Sequence, residues 1–425
     1  MPQYTPRSYW IKSSEPSAPG YYAFDIHVKQ GEILELLGRW DEAKGIYETN
    51  LAQAERAADA GCVAEGRHKL GWILNRTGDH QQASALLQQV ADHYERSGER
   101  LKLANVLSKL GSISSAQGEY DKALELFQRS LDLGRGENDR YIVSMVLNNL
   151  GNVYGDLGQN QKALEHYTQC RDMDLAAGDQ YSAGIDTGNM GWVHFASGDY
   201  ARAMECWTAQ ARWARQFGDK LALSIALSNS VTVHIAQGEY GRARETIEQR
   251  LRIAREMGDK KGLCISLSHL ANLQQLTGEF DAARNNFAEV VRLARELGLK
   301  YYLAIFLQEQ AELLFAMGRD DDALRSSGEA TELAQGIGKK DTVFNGRLLR
   351  ARVTARGDPQ EGIRQLRELA AAAESAGQRA QLHYHLFKLT GDREHQRQAA
   401  GLYAELYSRT PDIHYKKKID ELAAA

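Results

Sequence analysis

Hydrophobic and polar positions follow a helical period along most of the chain, and the period restarts at fixed intervals. In LNNLGNVYGDLG (147–158) the apolar residues Leu147, Leu150, Val153 and Tyr154 fall at i, i+3, i+6 and i+7, one stripe of an α-helix. Gly158 then interrupts the pattern, and a second amphipathic stretch runs to about Leu175. The same interruption stands at Gly38, Gly78, Gly118, Gly158, Gly198, Gly238, Gly278 and Gly318, 40 residues apart each time. A second glycine resets the chain at Gly178, Gly218, Gly258, Gly298 and Gly338. Glycine takes the left-handed conformation that ends a helix, so each unit predicts helix A, tight turn, helix B, tight turn. All six prolines lie outside 20–358, as uninterrupted helices require.

Two further rows keep the 40-residue beat. Five residues after each glycine of the first row stands Ala43, Ala83, Ala123, Ala163, Ala203, Ala243, Ala283 or Ala323. Nine after it comes Tyr47, Leu87, Phe127, Tyr167, Trp207, Ile247 or Phe287, with Ser327 breaking the row. The alanine lets two helices approach closely, and the large residue one turn later fills the space between them. A stack of such units has no need of a new core for each domain, which overrides the two or three globular units that 425 residues suggest.

The Gly-x-aromatic turn followed by Ala and a large core residue resembles the tetratricopeptide repeat. Gly151, Tyr154, Gly158, Ala163 and Tyr167 match it in the fourth unit, and Gly191, Gly198, Tyr200, Ala203 and Trp207 in the fifth. The 40-residue unit exceeds the usual 34. It is similar to the longer-helix members in bacterial signalling proteins, kinesin light chains and peptide-pheromone receptors. The resemblance implies an all-α fold, a right-handed superhelical solenoid of antiparallel helix pairs. The expected organisation is an irregular segment at 1–20, eight pairs over 21–340, divergent pairs over 341–408 and a capping tail at 409–425. The first helix B is expected to run on to near Gly61. At the end, a capping helix, a break at Pro411 and a polar last helix are expected.

Charge and composition narrow the function. The net charge is -4 and the pI about 6.3, which argues against a general nucleic-acid binder. Met1–Gly20 has no apolar run of the length a signal peptide or membrane span needs. Cys62, Cys170, Cys206 and Cys264 lie far apart without a CxxC pair, and read as small apolar side chains in a reducing cytoplasm. GRGEND (134–139) reads as a solvated turn, not a phosphate loop. His383 and His385 sit two apart and do not share a helix face. His194 and His234 occupy equivalent places in successive units and read as packing residues. No catalytic set, cofactor or metal site is expected.

The candidate chemistry lies on the A helices. Two positions before the small helix-A residue the units read Lys29, Lys69, Lys109, Asn149, Asn189, Asn229, His269 and Glu309. One position after it they read Glu32, Trp72, Ser112, Asn152, Trp192, Thr232, Asn272 and Glu312. The resemblance places both rows in the concave groove of the array. There an asparagine amide, with one acceptor and two donors, matches a peptide backbone unit. With helices about 10 Å apart and an extended chain rising about 3.3 Å per residue, one asparagine per unit meets every third residue of a bound strand. Trp72 and Trp192 are candidate anchors; packing of Trp192 on Phe195 is the alternative. Ile185, Ile225, Ile265 and Ile305 form a further row, either a groove edge or inter-repeat packing.

These observations imply a non-catalytic module that holds a peptide segment or partner domain in its groove. Lysines at one end and Glu309 and Glu312 at the other predict a bound segment with fixed direction. The alternative is a regulatory sensor array controlling an attached or associated effector. The units and the ending LYAELYSRTPDIHYKKKIDEL resemble the C-terminal arrays of bacterial signalling ATPases, nucleotide cyclases and transcription activators.

Overall fold

A computed structural model describes the backbone of residues 19–36 and 39–425, with the side chains of 24–35 and 39–425. The irregular segment expected at 1–20 falls, up to residue 18, outside the described residues, as does the turn at Gly38. The described residues form 21 α-helices and no strand. Two compact units divide them, Met1–Cys170 and Arg171–Ala425.

In unit 1 the A helices are α1 (Pro19–Leu36), α3 (Ala60–Thr77), α5 (Arg100–Ala116) and α7 (Arg140–Asp156). The B helices are α2 (Trp40–Arg56), α4 (His80–Ser97) and α6 (Tyr120–Gly136); α8 (Asn160–Ala176) includes the boundary between the units. Left-handed residues pace the turns every 20 positions, and where glycine is missing Ala58 and Asn138 adopt that conformation. The first helix B therefore ends at Arg56, with its turn at Ala58, and not near Gly61, which lies inside α3. The GRGEND stretch closes α6 and turns at Asn138. Asp59, Asp79 and Asp139 each accept a hydrogen bond from the backbone N–H three residues on, capping the next helix.

Unit 2 repeats the plan. Its A helices are α9 (Gln180–Ala196), α11 (Lys220–Ala236), α13 (Lys260–Leu276), α15 (Lys300–Ala316) and α17 (Lys340–Gly357). Their partners are α10 (Tyr200–Phe217), α12 (Tyr240–Met257), α14 (Phe280–Glu296), α16 (Asp320–Gly336) and the shorter α18 (Pro359–Ala370). Then follow α19 (Ala376–Thr390), α20 (Arg393–Arg409) and α21 (Ile413–Ala423). The break between α20 and α21 falls at Thr410–Asp412, beside Pro411.

The core lies between paired helices. Every alanine of the repeat row is fully buried, and so are Tyr47, Phe127, Trp207, Ile247 and Phe287. The small helix-A residue is what admits the large ring. A Cβ on Gly191 would stand 2.4 Å from Nε1 of Trp207, whose indole N–H donates to the carbonyl of Gly188 at 3.0 Å. Ser327, the exception in the row, is buried and donates from Oγ to Oε1 of Gln308 at 3.0 Å, a polar substitute for the missing ring.

The last segment of unit 2, expected as a cap, runs back over earlier turns of that unit. The chain at Arg409–Pro411 crosses the α9–α10 turn, where a Cβ on Gly198 would lie 2.4 Å from the Arg409 carbonyl oxygen and 2.7 Å from Pro411. Ile413 lies over Gly238, and Lys417 donates to the hydroxyl of Tyr240 at 3.1 Å, 177 residues away in sequence. This strap joins the end of unit 2 to turns near its beginning.

Candidate functional site

Contacts about 40 residues apart show which face of the A helices meets its neighbours. Lys69 Nζ reaches Glu32 at 2.6 Å from α3 to α1. Asn149 Nδ2 donates to Ser108 Oγ at 3.2 Å from α7 to α5. In unit 2, Ser268 Oγ donates to Glu309 at 2.9 Å from α13 to α15, and Arg352 pairs with Glu312 at 2.8 Å from α17 to α15. Successive A helices thus stand side by side, and the two candidate rows lie on the face they share.

In unit 1 this face is basic but mostly compensated. Glu32 takes both Lys29, at 2.8 Å, and Lys69. Glu35 is committed to its neighbours, accepting from the Tyr47 hydroxyl at 2.5 Å and from Trp72 Nε1 at 3.0 Å. Trp72 is half-buried and held on both sides, with Lys109 Nζ 4.4 Å from its ring centroid. Lys109 has no carboxylate within 4.0 Å among the described residues. Burial, and then the charge of Lys69, push its ammonium down to about 8. His68, beside it in sequence, is pushed down to about 3 by burial and then by Lys109 and Lys69; its Nε2 is buried without a partner among the described residues. Asn152 is exposed and accepts from the Tyr167 hydroxyl at 2.6 Å.

In unit 2 the row is deeper than expected. Asn189 is half-buried, while Asn229 is only 8% exposed and so is not the solvated amide the sequence suggests. Trp192 is 44% exposed yet belongs to an aromatic cluster, edge-on to Phe195 at 5.7 Å and to Trp207 at 5.3 Å between centroids. The packing on Phe195 is thus present, and part of the ring stays exposed. Burial, and then Arg250, push His269 down to about 4, so it is neutral at pH 7. Desolvation pushes the carboxyl of Glu309 up to about 7, against the hydrogen bonds from Ser268 and Asn272. No lysine, arginine or histidine lies within 4.0 Å of Glu309 among the described residues.

The charge gradient inferred from the sequence thus reduces to two uncompensated groups, Lys109 in unit 1 and Glu309 in unit 2. Lys29, Lys69 and Glu312 are each paired within the chain. Sequence reasoning passed over Ser108 and Ser268, one position before Lys109 and His269, which bond across to the next A helix. It also passed over Glu35. The signal for the serines was their equivalent place 160 residues apart, four repeats of the same beat. The isoleucine row splits: Ile185 and Ile225 are exposed, whereas Ile265 and Ile305 are half-buried against a core cluster.

Two further contacts involve histidines. His234 Nδ1 lies 2.9 Å from Glu239. His383 pairs not with His385 but with His395 on α20, their Nδ1 atoms 3.0 Å apart. The four cysteines are free. Among the described residues no helix is long and apolar enough to cross a membrane.

Residues 22–96 and 102–176 match the family model of the tetratricopeptide repeat, and 192–275, 262–313 and 298–345 match that of anaphase-promoting complex subunit 5. The chain is an array of tetratricopeptide-type helix pairs, a fold that generally serves as an interaction scaffold. It is similar to a solved Rap protein complexed with competence and sporulation factor, at 13% identity and a TM-score of 0.55, over 84% of this chain and 99% of that one. A signal transduction ATPase with a tetratricopeptide repeat sensor, from Pyrococcus horikoshii, matches at 14% identity and 0.49 over 77% of this chain and 52% of its own. The apo form of RapI matches at 14% and 0.49, over 65% and 99%. No curated protein matches the chain by sequence.

Proposed function

We propose that this chain is a non-catalytic interaction module that binds an extended segment of a partner protein along the inner face of its A helices. The observation that carries the reading is the polar row itself. Across Lys109, Asn149, Asn189 and Asn229 it keeps hydrogen-bonding groups in 40-residue register, and Asn189 has no side-chain hydrogen bond among the described residues. An amide open to solvent and without a partner in the chain exchanges water for a bound backbone at little cost, which suits a binding role. The Rap protein of similar fold is a complex with competence and sporulation factor, so a fold of this kind accommodates a second molecule. The proposed binding residues are Lys29, Lys69, Trp72, Lys109, Asn149 and Asn152 in unit 1, and Asn189, Trp192, Asn229, His269 and Asn272 in unit 2. The proposed location is the cytoplasm, in keeping with four free thiols.

The test is affinity capture from a cell extract with the intact chain and with the triple variant Asn149→Ala, Asn189→Ala, Asn229→Ala, both shown to be folded by circular dichroism. A partner retained by the first and lost by the second supports the reading. A partner held equally by both places binding elsewhere on the chain.

A second reading, a sensor array that controls an effector, is favoured by the strap. A segment that ties the end of unit 2 to its first turns is a contact whose release by an effector would supply the second state that regulation requires.

A further inference from the structure

Resting on the groove reading, we infer that the inner face of unit 2 receives a cationic group of its partner, an ammonium or a guanidinium, at Glu309, with an apolar side chain of the same segment lying over Leu221 and Ile225. The inference starts from a mismatch among the carboxylates of the A-helix rows. Glu32 has two lysines, and Glu312 has Arg352 at 2.8 Å. Glu309, one turn before Glu312 on the same helix, has none within 4.0 Å among the described residues. Its carboxylate is nevertheless oriented. Ser268 Oγ donates at 2.9 Å and Asn272 supplies a second hydrogen bond, both from α13. Neutral donors fix the direction of the carboxyl group, and with no cation beside it burial holds part of it protonated near pH 7; a basic group from a partner displaces that proton to solvent. The nearest residue of the row, His269, stays neutral and supplies no counter-charge. A basic group brought by a partner restores the missing pair, and charge-assisted bonds of this kind are about twice as strong as neutral ones.

The second half of the inference comes from the same helices. On α11 the stripe that carries Asn229 continues back through Ile225 and Leu221, which are 46% and 54% exposed. On α9 it runs from Asn189 through Ile185 to Tyr181, both exposed. Apolar side chains that face outward on two adjacent A helices, continuous with a polar row, form a surface that a partner's apolar residue covers. From α11 to α15 is two repeats, about 20 Å at about 10 Å per neighbouring helix. An extended chain covers that in about six residues. The partner segment therefore carries its basic residue about six positions from its bulky apolar one.

The experiment is selection of phage-displayed random dodecapeptides on the full chain, followed by titration of the strongest synthetic peptide. Expected are peptides enriched in Lys or Arg about six positions from a large apolar residue. Glu309→Gln is expected to weaken the chosen peptide at least tenfold. Exchanging its basic residue for norleucine is expected to weaken it equally on the native chain and to have little further effect on the variant. Ile225→Asp is expected to weaken it through the apolar end. Peptides that carry no basic enrichment, yet lose affinity in the triple asparagine variant, overturn this inference and leave the groove reading intact. Peptides indifferent to all of these variants, or no selected peptides at all, overturn both.

Discussion

Replacing Gly198 by asparagine isolates the strap of unit 2 from the turn it crosses. Gly198 and Gly218 share the left-handed conformation, with φ of 75° and 70°, and asparagine visits that region more readily than other side chains. Backbone strain is therefore similar at the two sites. They differ in what a Cβ meets. At Gly198 it stands 2.4 Å from the Arg409 carbonyl and 2.7 Å from Pro411, while at Gly218 there is nothing within 4 Å. The Gly198 variant must distort the packing, at about 1–3 kcal/mol, or release the strap. The lower of the two costs sets the effect. Strap docking rests on the Lys417–Tyr240 hydrogen bond, worth about 0.5–1.5 kcal/mol, and on the half-burial of Ile413 over Gly238, worth about 1 kcal/mol. Release at about 2 kcal/mol therefore competes with distortion. Hydrogen exchange read on peptides from 405–423 checks this. Faster exchange there in Gly198→Asn, with native exchange in Gly218→Asn, is the expected result. Equal tail protection in both variants refutes the claim that the strap depends on this close approach.

Other predictions follow from burial and charge. Leu147→Ala, at a side chain buried in α7, is expected to cost about 2–5 kcal/mol in denaturant unfolding. The carboxyl of Glu309 is raised from 4.5 to about 7, so the folded chain keeps a proton that the unfolded chain gives up. That stabilisation is complete below pH 4.5 and lost as the pH rises through about 7. Glu309→Gln is therefore expected to gain about 1–3 kcal/mol on the native chain at pH 8 and little at pH 5, read from denaturant midpoints at the two pH values. Ser327→Ala leaves Gln308 Oε1 without its donor, and a loss of about 1–2 kcal/mol is expected from thermal unfolding. The triple asparagine variant is expected to lose about 1 kcal/mol of stability, because Asn149 bonds Ser108, while partner binding falls further.

The sequence by itself determined the helices, their turns and the buried rows. An alanine and a large residue placed every 40 positions fix the phase of each helix, since 3.6 residues per turn leaves one choice of buried face once the turns are set. Even the Ser327 exception stands in the row and is buried where the row predicts. Where the turn residue was not glycine, as at Ala58, the boundary was misread, because the register came from neighbouring units and not from the local residue. Tertiary structure alone decided which charges of the A-helix rows are free. Lys69 and Glu32 lie 37 residues apart, and Ser268 and Glu309 lie 41 apart. Whether such side chains meet depends on the small rotation between successive helix pairs, which a one-dimensional pattern does not encode. The depth of Asn229, too, is set by its neighbours in space. The strap is the extreme case. Nothing near Gly198 marks it as the seat of residues more than 200 positions later, because rotations summed over several pairs bring the end of unit 2 back to its beginning.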